Sequence, residues 1–278
     1  MATALKDVLE ERKDPQPQLP DYAFINLQQP FWDLLLDVYF RLDVTGWNRL
    51  PEAPSLLIGV HAGGLIPIDA YAFGFEWIRH FGRTRPLHGT AHDFLMTAPV
   101  LGDYLRRIGV VPASREGVTA ALEAQHDVIV YPGGDVDALR PWTKRDEVVL
   151  AGRKGFIRQA IRAQVPIVPV AQTGAADTFI VLRSGRRLAK LFQFDKLFRA
   201  KAFPIALGFP LGIAPGAIPQ IPLPAKLRSE ILEPVDVGDD PERVDDDDFV
   251  ERKYREVERR LQTGMRRLAR KRRFPLLG

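Results

Sequence analysis

The feature that most limits what this chain can fold into is a set of short, wholly apolar runs separated by segments of helical spacing. Residues 55–60 (SLLIGV), 110–112, 128–131 and 167–170 read as buried strands bounded by turn signals. Residues 67–80, 99–108, 118–126 and 155–164 read as helices between them. Strands that apolar need cover on both faces, so the alternation predicts an α/β fold with a largely parallel central sheet flanked by helices. Ligand sites in such sheets lie outside the carboxyl ends of the strands. The residue that follows each apolar run is therefore the place to look for chemistry.

The flanks read differently. Residues 1–50 divide into a flexible polar lead and an amphipathic helix, 51–240 form one α/β domain, and 241–278 form a C-terminal helix with a basic tail. Over 29–42, Phe31, Leu34, Leu35, Val38, Tyr39 and Leu42 recur at helical spacing, and Trp32, Leu36 and Phe40 form a second apolar face. Such a helix packs against the core or rests in a membrane interface. The Pro- and Gly-rich tract 203–224 reads as extended, loop-like chain with short edge strands. The last helix, 248–272, opens on Asp248 and Glu251 in a capping-box spacing and shows a stripe of Val250, Tyr254, Val257, Leu261, Met265 and Leu268. Its end is crowded with Arg266, Arg267, Arg270, Lys271, Arg272 and Arg273, a tail suited to an anionic membrane surface.

Several function classes fall away. With no Cys, the chain has no disulfide, thiolate metal site or Cys nucleophile, and the absence fits a reducing compartment. Five scattered His supply no metal cluster. No Gly-x-Ser-x-Gly elbow, dinucleotide fingerprint or P-loop occurs. Nucleic-acid signatures are absent, no apolar run reaches a membrane-spanning length, and the polar N-terminus predicts no export.

His61 is the first chemical candidate. It ends the 55–60 run and opens the turn His61-Ala62-Gly63-Gly64-Leu65-Ile66-Pro67-Ile68-Asp69. A His there, with glycines that admit a substrate and an Asp downstream, suits a general base oriented by a carboxylate. A lone His serves structure as readily as chemistry, and Asp93 and Asp135 are further acids for the partner role. His88, His92 and His126 lack a motif context and read as structural.

Other elements follow in order. Gly109 and Arg115 are separated by five residues, Tyr131-Pro132-Gly133-Gly134 follows the third strand, and Val165-Pro166-Ile167-Val168-Pro169 forms the fourth. Lys154-Gly155-Phe156 and Ala160 stand between the last two. Over about residues 50–175 this set resembles the glycerolipid (lysophospholipid) acyltransferase superfamily, with its His-x4-Asp, Gly…Arg, Phe-Pro-Glu-Gly and Val-Pro-x-x-Pro motifs. The chain departs twice. Asp69 lies eight positions after His61 rather than five, and Gly133 stands where the superfamily often has Glu. The Pro-Gly-Gly loop resembles the branch acting on diacylglycerol and phytol-type acceptors.

The resemblance implies transfer of a fatty acyl group from acyl-CoA or acyl carrier protein to a hydroxyl of a lysophosphatidate-like glycerolipid. A neutral acceptor (diacylglycerol or a long-chain alcohol) and a catalytically silent lipid-binding protein of the same fold are the alternatives. On that reading His61 is the base, Asp69 fixes its tautomer, and no acyl-enzyme forms. The N–H groups of Gly133 and Gly134 would face the oxyanion, Arg115 an acceptor phosphate, and Tyr131, Pro132 and Asp135 the substrate, with Asp137 a further ligand for acceptor hydroxyls. Arg140, Lys144, Arg145, Arg153 and Lys154 meet coenzyme A phosphates or form a solvated basic face. No metal and no cofactor beyond the thioester co-substrate is implied, and the expected location is peripheral, on the cytoplasmic side of a membrane.

Overall fold

The computed structural model describes residues 17–52, 54–64, 66–185, 204–215, 220–272 and 274. Most of the predicted flexible lead, part of the 203–224 tract and Arg273 thus lie outside the described residues. In chain order the elements are α1 (Tyr22–Asp33), β1 (Asp43–Thr45), β2 (Leu56–Ile58), α2 (Ile68–Phe81), β3 (Leu87–Ala91), α3 (Asp93–Thr97), α4 (Leu101–Arg107), β4 (Val111–Pro112) and α5 (Arg115–Glu123). They continue with β5 (Asp127–Val130), α6 (Gly134–Ala138), α7 (Gly155–Ala163), β6 (Ile167–Thr173), α8 (Ala175–Thr178), β7 (Ile180–Arg183), β8 (Ile205–Gly208), β9 (Gly212–Pro215), β10 (Arg228–Ile231) and α9 (Asp247–Arg270).

A seven-stranded sheet in the order β1-β10-β6-β2-β5-β3-β4 forms the centre. From β6 through β4 every pairing is parallel, whereas β10 runs antiparallel to β6 and β1 parallel to β10. This is the mostly parallel α/β architecture that the apolar runs predict. Leu56, Leu57 and Ile58 of β2 are fully buried, as a central strand covered on both faces requires. Because β2, β3, β4, β5 and β6 all point the same way, the residues that follow them gather along one edge.

α9 closes one face of the sheet. Its six predicted stripe residues are all buried, each contributing on the order of 2 kcal/mol relative to exposure. At Gly264 the helix comes so near β6 that a Cβ would stand 2.8 Å from the Ala171 side chain. The cap is Asp246, whose carboxylate accepts from the Phe249 N–H at 2.9 Å, rather than Asp248. Glu251 instead pairs with Lys154 and Arg255.

The N-terminal helix departs from its predicted register. α1 begins at Tyr22, earlier than 29, and continues as a π-helical segment, Leu34–Tyr39. Pro30 lies inside it and lacks an N–H, and the wider turn appears shortly after the missing bond. Ile25, Trp32, Leu36 and Phe40 are buried, whereas Leu27, Phe31, Leu34 and Val38 are 59–80% exposed. The predicted stripe is therefore divided: Leu35, Tyr39 and Leu42 pack against the buried cluster, while Phe31, Leu34 and Val38 face outward.

β3 has no counterpart among the predicted strands, because Leu87-His88-Gly89-Thr90-Ala91 offers one large aliphatic residue. β1, β7 and β10 also lie outside the predicted set, each being short and partly polar. Within the 203–224 tract, β8 and β9 pair as an antiparallel hairpin and join β7 in a separate three-stranded sheet, consistent with short extended strands.

Candidate active site

His61 follows β2 and faces the sheet edge where β5 delivers Tyr131 and β6 delivers Thr173. Between His61 and α2 the chain makes a loop in which Gly63 and Gly64 take φ of +89° and +86°, a region costly for residues bearing a Cβ. That loop resolves the eight-residue step. It turns far enough that Asp69, in the first turn of α2, comes back to the imidazole: His61 Nδ1 and Asp69 Oδ1 are 3.0 Å apart. The second oxygen of Asp69 accepts from the Ala62 N–H at 2.6 Å, and Gln172 of β6 donates to the Asp69 carbonyl at 3.2 Å. Asp69, not Asp93 or Asp135, is the carboxylate partner. A carboxylate only accepts, so Nδ1 carries the proton and Nε2 is left as the basic nitrogen. The His61 side chain is 17% exposed and that of Asp69 2%, so the acid is sealed while the base remains reachable.

Two further contacts fix the base. The Tyr131 ring stacks on the imidazole at 3.9 Å between centroids and 7° between planes. Gly59 makes room for it, since a Cβ there would strike the tyrosine ring. Tyr131, predicted to bind substrate, thus forms the floor beneath the histidine. Asp137 and Arg140 hold the His61 main chain: the His61 N–H donates to Asp137 Oδ2 and Arg140 Nη1 donates to the His61 carbonyl, each at 2.7 Å. Arg140 also donates to Asp137 directly, and both side chains are buried. Burial pushes the Asp137 carboxyl up to about 7, against the downward pull of Arg140. Asp137, buried against the His61 main chain and Arg140, is therefore a support for His61 rather than a surface group open to acceptor hydroxyls. Nothing in the sequence distinguishes this buried pair from an ordinary surface i,i+3 pair.

The Pro-Gly-Gly turn divides its predicted duty. The Gly134 N–H donates to the Tyr131 carbonyl at 3.1 Å and closes the turn, so it is not available to an oxyanion. The Gly133 N–H takes no main-chain partner among the described residues. A Cβ on Gly133 would meet the Val149 carbonyl and the Asp137 side chain, which explains why a glycine stands where a glutamate is common. Pro132 accepts from Arg153 at 2.8 Å, and Asp135 pairs with the same Arg153 at 3.4 Å on the surface.

Arg115 opens α5 behind an N-cap made by Ser114, whose hydroxyl accepts from the Gly117 N–H at 3.0 Å. Its side chain is exposed and makes no ion pair among the described residues. It follows β4, three strand positions from β2, or roughly 14 Å along the edge at about 4.8 Å per strand. The other basic residues of the loop are already paired. Arg145 stacks on Trp142 and faces Asp177, Lys144 pairs with Glu147, and Lys154 with Glu251. His88 is buried between the Gly109 carbonyl and His126, and the His92 side chain caps α3 by accepting from the Phe94 N–H. No group of residues able to hold a metal occurs among the described residues.

The family model for diacylglycerol acyltransferase matches residues 28–209. The chain belongs to the diacylglycerol acyltransferase family. Within that match lie His61, Asp69, Tyr131, Asp137 and Arg140. A bovine (Bos taurus) protein named DGAT1/2-independent enzyme synthesizing storage lipids is 32% identical over 72% of this chain and 58% of its own length. An uncharacterized Mycobacterium tuberculosis protein is 27% identical over 80% of this chain and 60% of its own. The chain thus spans about three fifths of these relatives. Among solved structures, the 1-acyl-sn-glycerophosphate acyltransferase PlsC of Thermotoga maritima aligns with a TM-score of 0.52 at 19% identity, covering 88% of this chain and 79% of that one. That likeness concerns the fold.

Proposed function

We propose that this protein transfers a fatty acyl group from an acyl thioester to the hydroxyl of a neutral lipid acceptor, diacylglycerol or a long-chain alcohol. The observation that carries this reading is the 3.0 Å contact between His61 and the sealed Asp69, within a diacylglycerol acyltransferase family member. Nε2 takes the acceptor proton as the hydroxyl oxygen attacks the thioester carbonyl, and Asp69 stabilises the imidazolium that forms. On this reading the Gly133 N–H, which takes no main-chain partner among the described residues, donates to the developing oxyanion. Collapse breaks the carbon–sulfur bond, the thiolate recovers the proton from His61, and an ester and a thiol are released. No acyl-enzyme is needed.

Gly133 in the place of a glutamate, and the relative that synthesises storage lipids, support a neutral acceptor. The exposed, unpaired Arg115 supports a phosphorylated one. The two are separated by one labelled acyl-CoA offered with diacylglycerol, a long-chain alcohol, lysophosphatidate and glycerol 3-phosphate in turn. Neutral acceptors should be esterified and Arg115→Ala should leave that rate within about twofold. Transfer confined to the phosphorylated acceptors, with Arg115→Ala raising their KM, would overturn the neutral reading.

Attachment to the cytoplasmic face of a membrane is part of the proposal. No helix among the described residues is long and apolar enough to cross one. The outward stripe of Leu27, Phe31, Leu34 and Val38 and the exposed Arg266, Arg270 and Lys271 support peripheral contact.

A further inference from the structure

The sheet edge that presents His61 carries a second group of cations, on the side away from Arg115. Arg228 opens β10 and pairs in register with Thr173, the last residue of β6, and with Asp43 of β1. It therefore stands at the carboxyl end of the parallel strands. β10 is two strand positions from β2, roughly 10 Å along the edge.

The local chain path gathers more charge there. The Leu227 N–H donates to the Phe40 carbonyl at 2.9 Å, and the Asp43 N–H donates to the Leu227 carbonyl at 3.1 Å. Residues 40–43 thus run beside 226–228. Phe40 and Leu227 are buried in one apolar cluster, with Leu42 packed against it. In extended chain alternate side chains face opposite ways, so Lys226 and Arg228 flank Leu227 on the side away from that cluster. Arg41 lies between Phe40 and Leu42 on the neighbouring segment.

Neither Lys226 nor Arg228 makes an ion pair among the described residues, and both are only partly exposed. Burial lowers the Lys226 pKa, Asp43 opposes the shift, and the positive charges of Arg228 and Arg41 lower it further. Among the described residues Asp43, in register with Arg228, is the acid that acts on Lys226, and the Arg228 guanidinium stands beside it. Like charges brought together in a partly desolvated place repel one another unless an anion joins them. That arrangement is a cost to folding and a readiness for a phosphate.

We infer that Lys226 and Arg228 bind the phosphate groups of the acyl donor while its thioester lies at His61. The inference rests on the proposed acyl transfer. Coenzyme A and the phosphopantetheine of a carrier protein offer the same chemistry: a phosphate joined to the thioester by a flexible arm, long enough to bridge the separation between β10 and β2.

The test compares wild type with Lys226→Gln, Arg228→Gln and the double variant, using calorimetric binding of free coenzyme A and of pantetheine, which lacks the phosphates. The two single variants keep the comparison available if the double variant does not fold. Coenzyme A affinity should fall at least tenfold in the double variant and severalfold in each single one, with pantetheine binding unchanged. In turnover, KM for acyl-CoA should rise while kcat stays within about twofold. A donor that is accepted only as acyl carrier protein, with the same variants raising its KM, supports the site through the second source. Unchanged affinity for coenzyme A together with unchanged KM for either donor overturns it. Loss of binding to phosphatidylglycerol vesicles with donor affinity intact also overturns it, in favour of a lipid headgroup. Because binding is read without turnover, weakened coenzyme A binding in a protein that transfers no acyl group would leave the site standing and remove the proposed function instead.

Discussion

The main-chain N–H of His61 donates to the Asp137 carboxylate at 2.7 Å, so the base is held through its backbone as well as its ring. Arg140 completes the hold at the His61 carbonyl. If this clamp sets the position of the imidazole, Asp137→Asn should lower kcat by about 10- to 100-fold with KM little changed, since an error of an ångström in placement costs on that order. Asp137→Ala leaves Arg140 buried without its partner and should destabilise the fold by about 3 to 5 kcal/mol. Steady-state kinetics on the Asn variant, alongside denaturant melts of both, separate positioning from folding. A wild-type kcat in the Asn variant would dismiss the clamp.

The Asp69 contact leads to a sharper expectation. Asp69→Asn offers an amide where a carboxylate accepted from Nδ1 and from the Ala62 N–H. The imidazole then loses its tautomer preference, and turnover should fall by about 10²- to 10⁴-fold. His61→Ala should remove turnover altogether while the protein stays folded, with a lowered thermal midpoint because the sealed Asp69 loses its imidazole partner. Measurable acyl transfer by a folded His61→Ala protein would end the mechanism.

The strands were legible in the sequence where burial was complete. Residues 56–58 and 167–170 admit only apolar side chains, and they lie where the pattern puts them. β3 was not legible, because its central His88 satisfies both ring nitrogens inside the protein and a sequence cannot reveal partners as distant as Gly109 and His126. The contact between His61 and Asp69 was legible through their order along the chain, although the eight-residue step departs from the usual spacing. Their supports were not: Asp137 and Arg140 look like a solvated pair, and only the fold buries them against His61. The segment 22–42 shows the reverse failure: its clear periodicity did not reveal that Leu35, Tyr39 and Leu42 pack inward while Phe31, Leu34 and Val38 face out.

His88 gives a pH dependence of stability. Burial depresses its pKa from 6.5 to about 4, with the Gly109 carbonyl opposing and His126 adding to the shift. Between those values the unfolded chain binds a proton that the folded chain refuses. Stability from this group is therefore present above pH 6.5 and is lost as pH falls toward 4, by about 3 kcal/mol at most. Urea unfolding at pH 7 and pH 4.5 should show the drop, and His88→Asn should show a smaller one. Parallel losses in both proteins would place the acid sensitivity elsewhere.

The basic end of α9 is two surfaces, and their removal should have two effects. Arg267 forms a paired contact with Glu230 at 2.7 and 2.9 Å, and Arg272, with its side chain only 8% exposed, reaches Asp146 at 2.6 Å and Asp177 at 3.2 Å. Asp177 also accepts from the Trp142 indole at 2.6 Å, so this corner ties the helix end to the loop that holds Arg140. Arg272→Gln strips part of the compensation from a buried carboxylate and should lower stability by about 2 to 4 kcal/mol. Arg266, Arg270 and Lys271 are exposed. Replacing these three with Gln should leave the melt unchanged while weakening binding to anionic vesicles by about 1 kcal/mol per charge at low salt. Co-sedimentation with phosphatidylglycerol vesicles reads the second effect and thermal melts the first. If the triple variant sediments like wild type, the tail contributes nothing to the membrane, and the outward stripe of α1 must account for any attachment.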